Sequence, residues 1–527
     1  MGFYQLGGIV RVLRSCPFIG TRAFYIFKTG GIIMKFKSTR SSDELIFSSN
    51  ALINGIAKDG GLYVPTQIPQ IDKTIEDLVN LSYKDLAFTI LKSYFTDFED
   101  AELLDCIEKA YTNKFTSSKI VPLTKVMGVN FLELYHGPTL AFKDMALSIL
   151  PHLIKTSIKK QNIKKNIVIL TATSGDTGTA ALESFANVDG IKIIVFYPKN
   201  GVSEIQKRQM TTQQGKNTYV VALDGNFDDA QNGVKQIFND KEFVDMLSEN
   251  NYLLSSANSI NIGRFIPQII YYFYGYAQLL KNKEIQKNEK INVVVPTGNF
   301  GNILAAYYAK QMGLPLNKLI CASNENNVLY DFFTTGVYNK KRELKLTSSP
   351  SMDILISSNL ERLLYEASGK DDNLIKKLED DLKRKGQYEI PSSLKTNLKD
   401  FYSNFATEDE VNQSIQTVLT TSGYVMDTHT SVAYSVYQKY LQKTNDPTKT
   451  IITSTASPFK FGKSICGALD ISTDDCTDFE IIKKLSNYCS LEIPQAIKNL
   501  ESKEIVHTKF CKTDEMKLVI KNLLKVR

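Results

Sequence analysis

Between residues 121 and about 325, short apolar runs ("NIVIL", "IKIIVFY", "TYVVAL", "INVVVP", "KLICAS") alternate with longer segments ("TAALESFA", "SEIQKRQM", "RFIPQIIYYFYGYAQLL", "NILAAYYAKQMG"). The short runs are rich in Val and Ile, as strands buried on both faces are, and the longer ones read as helices. Strand, helix, strand at this spacing predicts βαβ units and a mostly parallel sheet. Residues 34–120 are mixed, with helical patterns such as "IEDLVNLSYKDLAFTILKSYF" and a turn signal in "KDGGLYVP", and read as an N-terminal lobe. From about 340 to 415 acids and bases interleave, as in "GKDDNLIKKLEDDLKRKGQYEI", which predicts surface helices of an inserted segment. After 416 the α/β pattern returns with "TSVAYSVYQKYLQ" and "KTIITSTASPFKF", and the chain ends in helices such as "MKLVIKNLLK". A strand that late can rejoin the earlier sheet. The expected organisation is a leader (1–33), an N-terminal lobe (34–120), a smaller α/β lobe (121–265) and a larger α/β lobe (266–527) carrying the helical insertion.

Composition narrows the partners. The 527 residues are 43% hydrophobic, 10% aromatic and 23% charged, the balance of an ordinary globular chain of several domains. A net charge of +7 looks basic, but Arg11, Arg14, Arg22 and Lys28 of the leader supply four of it, and no acid appears before Asp43. The +3 that remains argues against nucleic acid as a partner. Seven scattered cysteines without a CxxC pair and four histidines suggest neither a disulfide framework nor a metal site, and a reducing, cytoplasmic setting is the default. No apolar run reaches the ~20 residues of a membrane span. The leader, with "RVLRSCPFIGTRAFYIFKTGGII" free of acids and followed by Met34, has some features of an organelle transit peptide, the alternative location.

Candidate chemistry begins at "HGPTLAFKDMAL", where Lys143 stands between Phe142 and Asp144 after a Gly-Pro turn. Most lysines lie in water; one desolvated among apolar neighbours is partly neutral and nucleophilic, as Schiff-base chemistry with a carbonyl cofactor requires. Three strand-end loops could serve such a cofactor, because ligands of open α/β sheets sit beyond the carboxyl ends of strands. They carry Thr173, Ser174, Gly175, Asp176 and Thr177; Gly298, Asn299, Phe300, Gly301 and Asn302; and Thr455. A fourth stretch, "SSANSINIGRFIPQ", offers Asn258, Ser259 and Arg264 as a second anion site. Taken singly, each loop reads equally well as a helix cap. None has the G-x-G-x-x-G or P-loop pattern, so dinucleotide and nucleoside triphosphate readings lose their warrant.

In order, "HGPTLAFKD", "LTATSGDTG", "SSANSINIGR", "PTGNFGN" and "TASPFKF" resemble threonine synthase, a pyridoxal-phosphate enzyme of fold type II, in the longer form of fungi and many bacteria. The resemblance runs from about Met34 to the C-terminus and implies two α/β lobes of mostly parallel twisted sheets around the cofactor. It implies that Lys143 binds pyridoxal phosphate, that Gly298 to Asn302 cradle the cofactor phosphate and that Thr455 stands near the pyridine nitrogen. Thr173 to Thr177 match a loop that grips the substrate carboxylate, and Asn258, Ser259 and Arg264 match positions that bind the substrate phosphate. Ser457 replaces the His frequent in the family.

The activity so implied is the last step of threonine biosynthesis, O-phospho-L-homoserine and water to L-threonine and phosphate, with no metal. Lys143 is the natural base for proton transfers at Cα, Cβ and Cγ. The alternatives are a threonine-synthase-like phospho-lyase releasing 2-oxobutyrate and a pyridoxal-phosphate-binding pseudoenzyme. The sequence leaves the oligomeric state open.

Overall fold

The computed structural model describes residues 33–71 and 73–526, so the leader expected at 1–33 lies almost wholly outside the described residues. Two sheets organise the chain. The smaller has five parallel strands in the order Lys509–Lys512, Thr218–Asp224, Ile191–Pro198, Asn166–Ala172, Tyr252–Ser256. The larger has six, in the order Phe401–Phe405, Leu316–Ser323, Ile291–Pro296, Thr450–Ser454, Val129–Glu133, Leu123–Val126, with only the last pair antiparallel. The expected fold class, α/β with mostly parallel sheets and flanking helices, is therefore the observed one.

Alternation along the strands shows why both sheets are covered on two faces. Ile167 and Ile169 pack with Ala180, Ala181 and Leu182 of helix Asp176–Phe185. Their neighbours Val168 and Leu170 point the other way, to Val234 and Ile237 of helix Phe227–Asn239. In the larger sheet Val293 and Val295 share a core with helix Gly301–Gln311, while Val294, Ile320 and Ile452 pack with Val432, Ala433 and Val436 of helix Thr428–Thr444. Period 2 with apolar residues at every position leaves no solvent face, the condition for a parallel sheet between helical layers.

The sheets do not divide where the expected boundary at 265/266 would put them. Strands Leu123–Val126 and Val129–Glu133, from the segment assigned to the smaller lobe, join the larger sheet, and Lys509–Lys512 crosses back to close the smaller one. Strand pairing is non-local and sequence order does not constrain it. The segment 340–415 is also not wholly helical. Beside helices Leu360–Ala367, Asp372–Lys385 and Ser392–Asn397 it supplies Phe401–Phe405, an edge strand of the larger sheet. The N-terminal part packs helices Tyr83–Tyr94 and Ile75–Val79 against Ile269–Lys281, and its strand Phe36–Ser38 pairs with Tyr63–Pro65. Among the described residues no helix is long and apolar enough to cross a membrane.

Candidate active site

The loop before Lys143 is fixed from both ends. Phe142 N–H donates to the Thr455 carbonyl at 2.8 Å and Ser457 N–H to the Leu140 carbonyl at 3.0 Å, pinning it to the end of strand Thr450–Ser454. Leu140 adopts φ 62°, a left-handed turn that a branched side chain tolerates only under such constraint. Ser457 acts here through its backbone, so the missing imidazole does not loosen the pin. Behind the loop, Thr139 donates its N–H at 2.8 Å and its hydroxyl at 2.6 Å to the buried Asp144 carboxylate. Burial pushes the Asp144 carboxyl up to about 6, against those hydrogen bonds.

Lys143 itself is 8% exposed. Its Nζ lies 3.3 Å from Asp176 Oδ2 and donates to Ser351 Oγ at 3.1 Å. Asp176 is shared: its Oδ1 pairs with Lys460 Nζ at 2.8 Å and accepts from Gln206 Nε2 at 2.9 Å. Burial lowers the Lys143 ammonium from its ordinary value, the Asp176 charge opposes this, and the charges of Lys460 and Arg264 add to the lowering. Burial would raise Asp176, yet its two lysine partners hold it well below the usual carboxylate range. Lys143 is thus desolvated without being stranded, an environment that works against its protonated form.

Two orphaned groups mark where anions could bind. Beyond strand Ile291–Pro296 the chain turns through Phe300 at φ 63° into helix Gly301–Gln311, whose first turn has no side-chain cap. Asn302 Oδ1 accepts from Tyr271 at 2.7 Å and also from Tyr272, while its buried Nδ2 has no partner. The second group is Arg264, 3% exposed, whose Nη1 donates to the Ala257 carbonyl at 2.6 Å and whose Nε is unpaired. Burial lowers this guanidinium to about 10, with Asp144 opposing. Gln268 links the two sites, donating to the Arg264 carbonyl at 2.7 Å and accepting from Tyr271 at 2.9 Å. Asn258, whose buried Oδ1 is likewise unpaired, and Ser259 occupy the turn between strand Tyr252–Ser256 and helix Ile262–Phe265.

The loop 173–177 differs in detail from the expectation. Thr173 Oγ1 accepts from Gly175 N–H at 2.9 Å and Gly178 N–H at 2.8 Å, and Asp176 is committed to its lysines, so both shape the pocket. Ser174 and Thr177 stay half-buried on the same loop. Gly175, at φ 131°, has Gln206 where a Cβ would stand, at 2.4 Å. Several participants had no expectation attached to them: Ser351, Gln206, Lys460 and the buried pair His429 and Asp427, joined at 2.9 Å. His429 Nε2 accepts from the Ser351 N–H at 3.2 Å. Lys460 lies within the motif "TASPFKF", whose resemblance assigns it no role, and Ser351 lies in the charged insertion, where no motif singles it out.

Comparison with known proteins identifies the family of the chain. Residues 35–111 match the family model described as "Threonine synthase N terminus", and residues 117–455 match that of "Pyridoxal-phosphate dependent enzyme". Threonine synthase-like 1 of Homo sapiens is 41% identical over 458 residues, covering 84% of this chain. The chain spans 61% of that relative's length. Threonine synthase of Saccharomyces cerevisiae is 36% identical over 515 residues, covering 90% of this chain and 98% of the yeast protein. The crystal structure of pyridoxal-phosphate-bound threonine synthase from Brucella melitensis superposes with a TM-score of 0.81 at 34% identity, covering 93% of this chain and 99% of that one.

Proposed function

Because the chain belongs to the threonine synthase family of pyridoxal-phosphate dependent enzymes, we propose that it converts O-phospho-L-homoserine and water to L-threonine and phosphate. One observation carries the reading: the desolvated Lys143 amine lies among strand-end loops that offer two separate buried anion donors, Asn302 Nδ2 and Arg264 Nε. A cofactor phosphate and a substrate phosphate need two such sites.

The residues present fit the cofactor. Lys143 is the attachment point, and the uncapped N-terminus of helix Gly301–Gln311, with Gly298 to Phe300 and the free amide of Asn302, suits its phosphate. Thr455, buried at the end of strand Thr450–Ser454, would serve the ring nitrogen. When bound, pyridoxal phosphate supplies an electron sink for carbanion charge on the substrate.

This chain's own groups do the rest. Arg264, with Asn258 and Ser259, holds the substrate phosphate in a dry site where one charge-assisted contact is strong. Ser174, Thr177 and the backbone of their loop take the substrate carboxylate. Lys143 would move protons at Cα, Cβ and Cγ of the substrate, and its burial, which works against the protonated amine, suits it to accept and return them. After phosphate leaves Cγ, Arg264 retains it beside the pocket, where it orients the water that adds at Cβ. A cytoplasmic location is proposed with this activity, on the scattered cysteine pattern of the sequence.

A lyase reading uses the same residues and differs only after elimination, when the unsaturated species leaves before water adds. Incubation of the holoenzyme with O-phospho-L-homoserine separates the two. We expect threonine in step with phosphate release; mainly 2-oxobutyrate with ammonia would reject the synthase reading.

A further inference from the structure

Lys460 has no task in the chemistry above, yet it is the most enclosed cation of the pocket. Its side chain is 0% exposed. It bonds Asp176 Oδ1 and the Thr139 carbonyl, both at 2.8 Å. The Thr139 carbonyl is itself held in place, because the same residue donates twice to Asp144. A buried ammonium with two short, oriented acceptors is costly to install and unnecessary for packing, since an apolar side chain would fill the space at less desolvation cost.

We propose that Lys460 is a positioning residue for the Lys143 amine: it anchors one oxygen of Asp176 so that the other faces Lys143, and it takes a share of the carboxylate that Lys143 would otherwise have to itself. The inference rests on the reading of Lys143 as the cofactor-binding lysine. One carboxylate lies between two ammonium groups, and the bonds are unequal. Lys460 has a carboxylate oxygen and a carbonyl at 2.8 Å; Lys143 has the other oxygen at 3.3 Å and a hydroxyl at 3.1 Å. By these distances Lys143 is the more loosely held of the two amines. The other charges facing Lys143 are Arg264, which adds to the effect, and Asp176, which opposes it; Asp144 bears on Arg264, and Glu183 on Asp144. The arrangement also serves the loaded enzyme. With Lys143 engaged by the cofactor, Lys460 remains the counter-charge of Asp176, which is never left buried alone.

The test titrates Lys143 without requiring turnover. The full chain, stripped of cofactor, is exposed to formaldehyde and cyanoborohydride across a pH series, and methylation of the Lys143 peptide is followed by mass spectrometry. Lys460→Met removes the fixed charge and frees Asp176 to pair fully with Lys143, and both changes favour the protonated amine. The midpoint should rise by about one pH unit, and Lys143 modification at a fixed pH below it should fall about tenfold. Lys460→Gln, whose amide can still donate to Asp176 and to the Thr139 carbonyl, should show the same shift and serves where the methionine variant does not fold. An unmoved or lowered midpoint in a folded variant, judged by circular dichroism, overturns the proposal and leaves Lys460 a structural ion pair. The two readings fail separately. A moved midpoint in a chain that makes no threonine rejects the synthase activity alone, and threonine formation with an unmoved midpoint rejects this inference alone.

Discussion

A Cβ on Gly298 would stand 2.7 Å from the Ser351 carbonyl oxygen, closer than packed atoms approach. The obstacle is backbone, held by Ser351 N–H donating to His429 at 3.2 Å, and cannot swing aside as a side-chain tip would. Gly298→Ala should therefore displace the proposed phosphate loop from Ser351 and from Ser357, which donates to the Gly298 carbonyl at 2.7 Å. We expect pyridoxal phosphate to bind at least about tenfold more weakly, ~1.4 kcal/mol, with the melting temperature of the cofactor-free chain little changed. An absorbance titration with unchanged affinity would show that the loop tolerates the methyl group. This residue was legible in the sequence because a Gly/Asn cluster after an apolar run is a local pattern. Lys143 was legible as a candidate in a local motif, and it is the family resemblance that assigns it the cofactor. Lys460 and Ser351 were not: they reach Asp176 and Lys143 from far along the chain, and no spacing rule joins positions 143, 176, 351 and 460.

At the scale of elements, apolar periodicity found most of the strands that are buried on both faces, missed the interior strand Val129–Glu133 and missed the edges. Asn166–Ala172 and Ile291–Pro296 are nearly continuous apolar runs, whereas Lys509–Lys512 has one buried residue, Cys511, between exposed neighbours. Two lysines on an edge strand guard against pairing with other chains, and the same lysines hide the strand from a pattern search. What holds this edge is the following helix, Met516–Leu524, whose Met516, Ile520, Leu523 and Leu524 share a core with Val221, Leu223 and Val234. Ile520 is fully buried, so Ile520→Ala should cost about 2–5 kcal/mol through lost burial and the cavity left behind. Hydrogen exchange should quicken in Thr218–Asp224 and stay as it was in Ile291–Pro296, which belongs to the other sheet. Uniform quickening in both sheets, or no change in melting temperature, would refute the assignment of this helix to the smaller sheet's core.

For the molecule as a whole, one buried side chain ties the parts together. Arg362 is 0% exposed; its Nε donates to the Tyr63 carbonyl at 3.0 Å, its Nη2 to the Ile260 carbonyl at 2.6 Å and its Nη1 to Asn359 Oδ1 at 2.5 Å. Those acceptors belong to the N-terminal part, to the turn carrying Asn258 and Ser259, and to the residue that holds the Asn299 carbonyl through its N–H at 3.1 Å and its Nδ2 at 2.8 Å. The guanidinium also lies 5.5 Å from the ring centre of Phe265, next to Arg264. Its planar fork meets acceptors in three directions, which the single ammonium of a lysine cannot. Arg362→Lys should leave at least one buried carbonyl unpaired and loosen both proposed anion sites together, at roughly 1–3 kcal/mol for each lost partner. The expected signature is coupled: a lower melting temperature, weaker pyridoxal phosphate binding and a raised KM for the phosphorylated substrate in one variant. A variant that lost stability while both affinities stayed at the parent's values would show that Arg362 only staples the N-terminal part to the sheets. Loss of both affinities would mean that the cofactor and substrate loops are held in register by a residue that touches neither ligand.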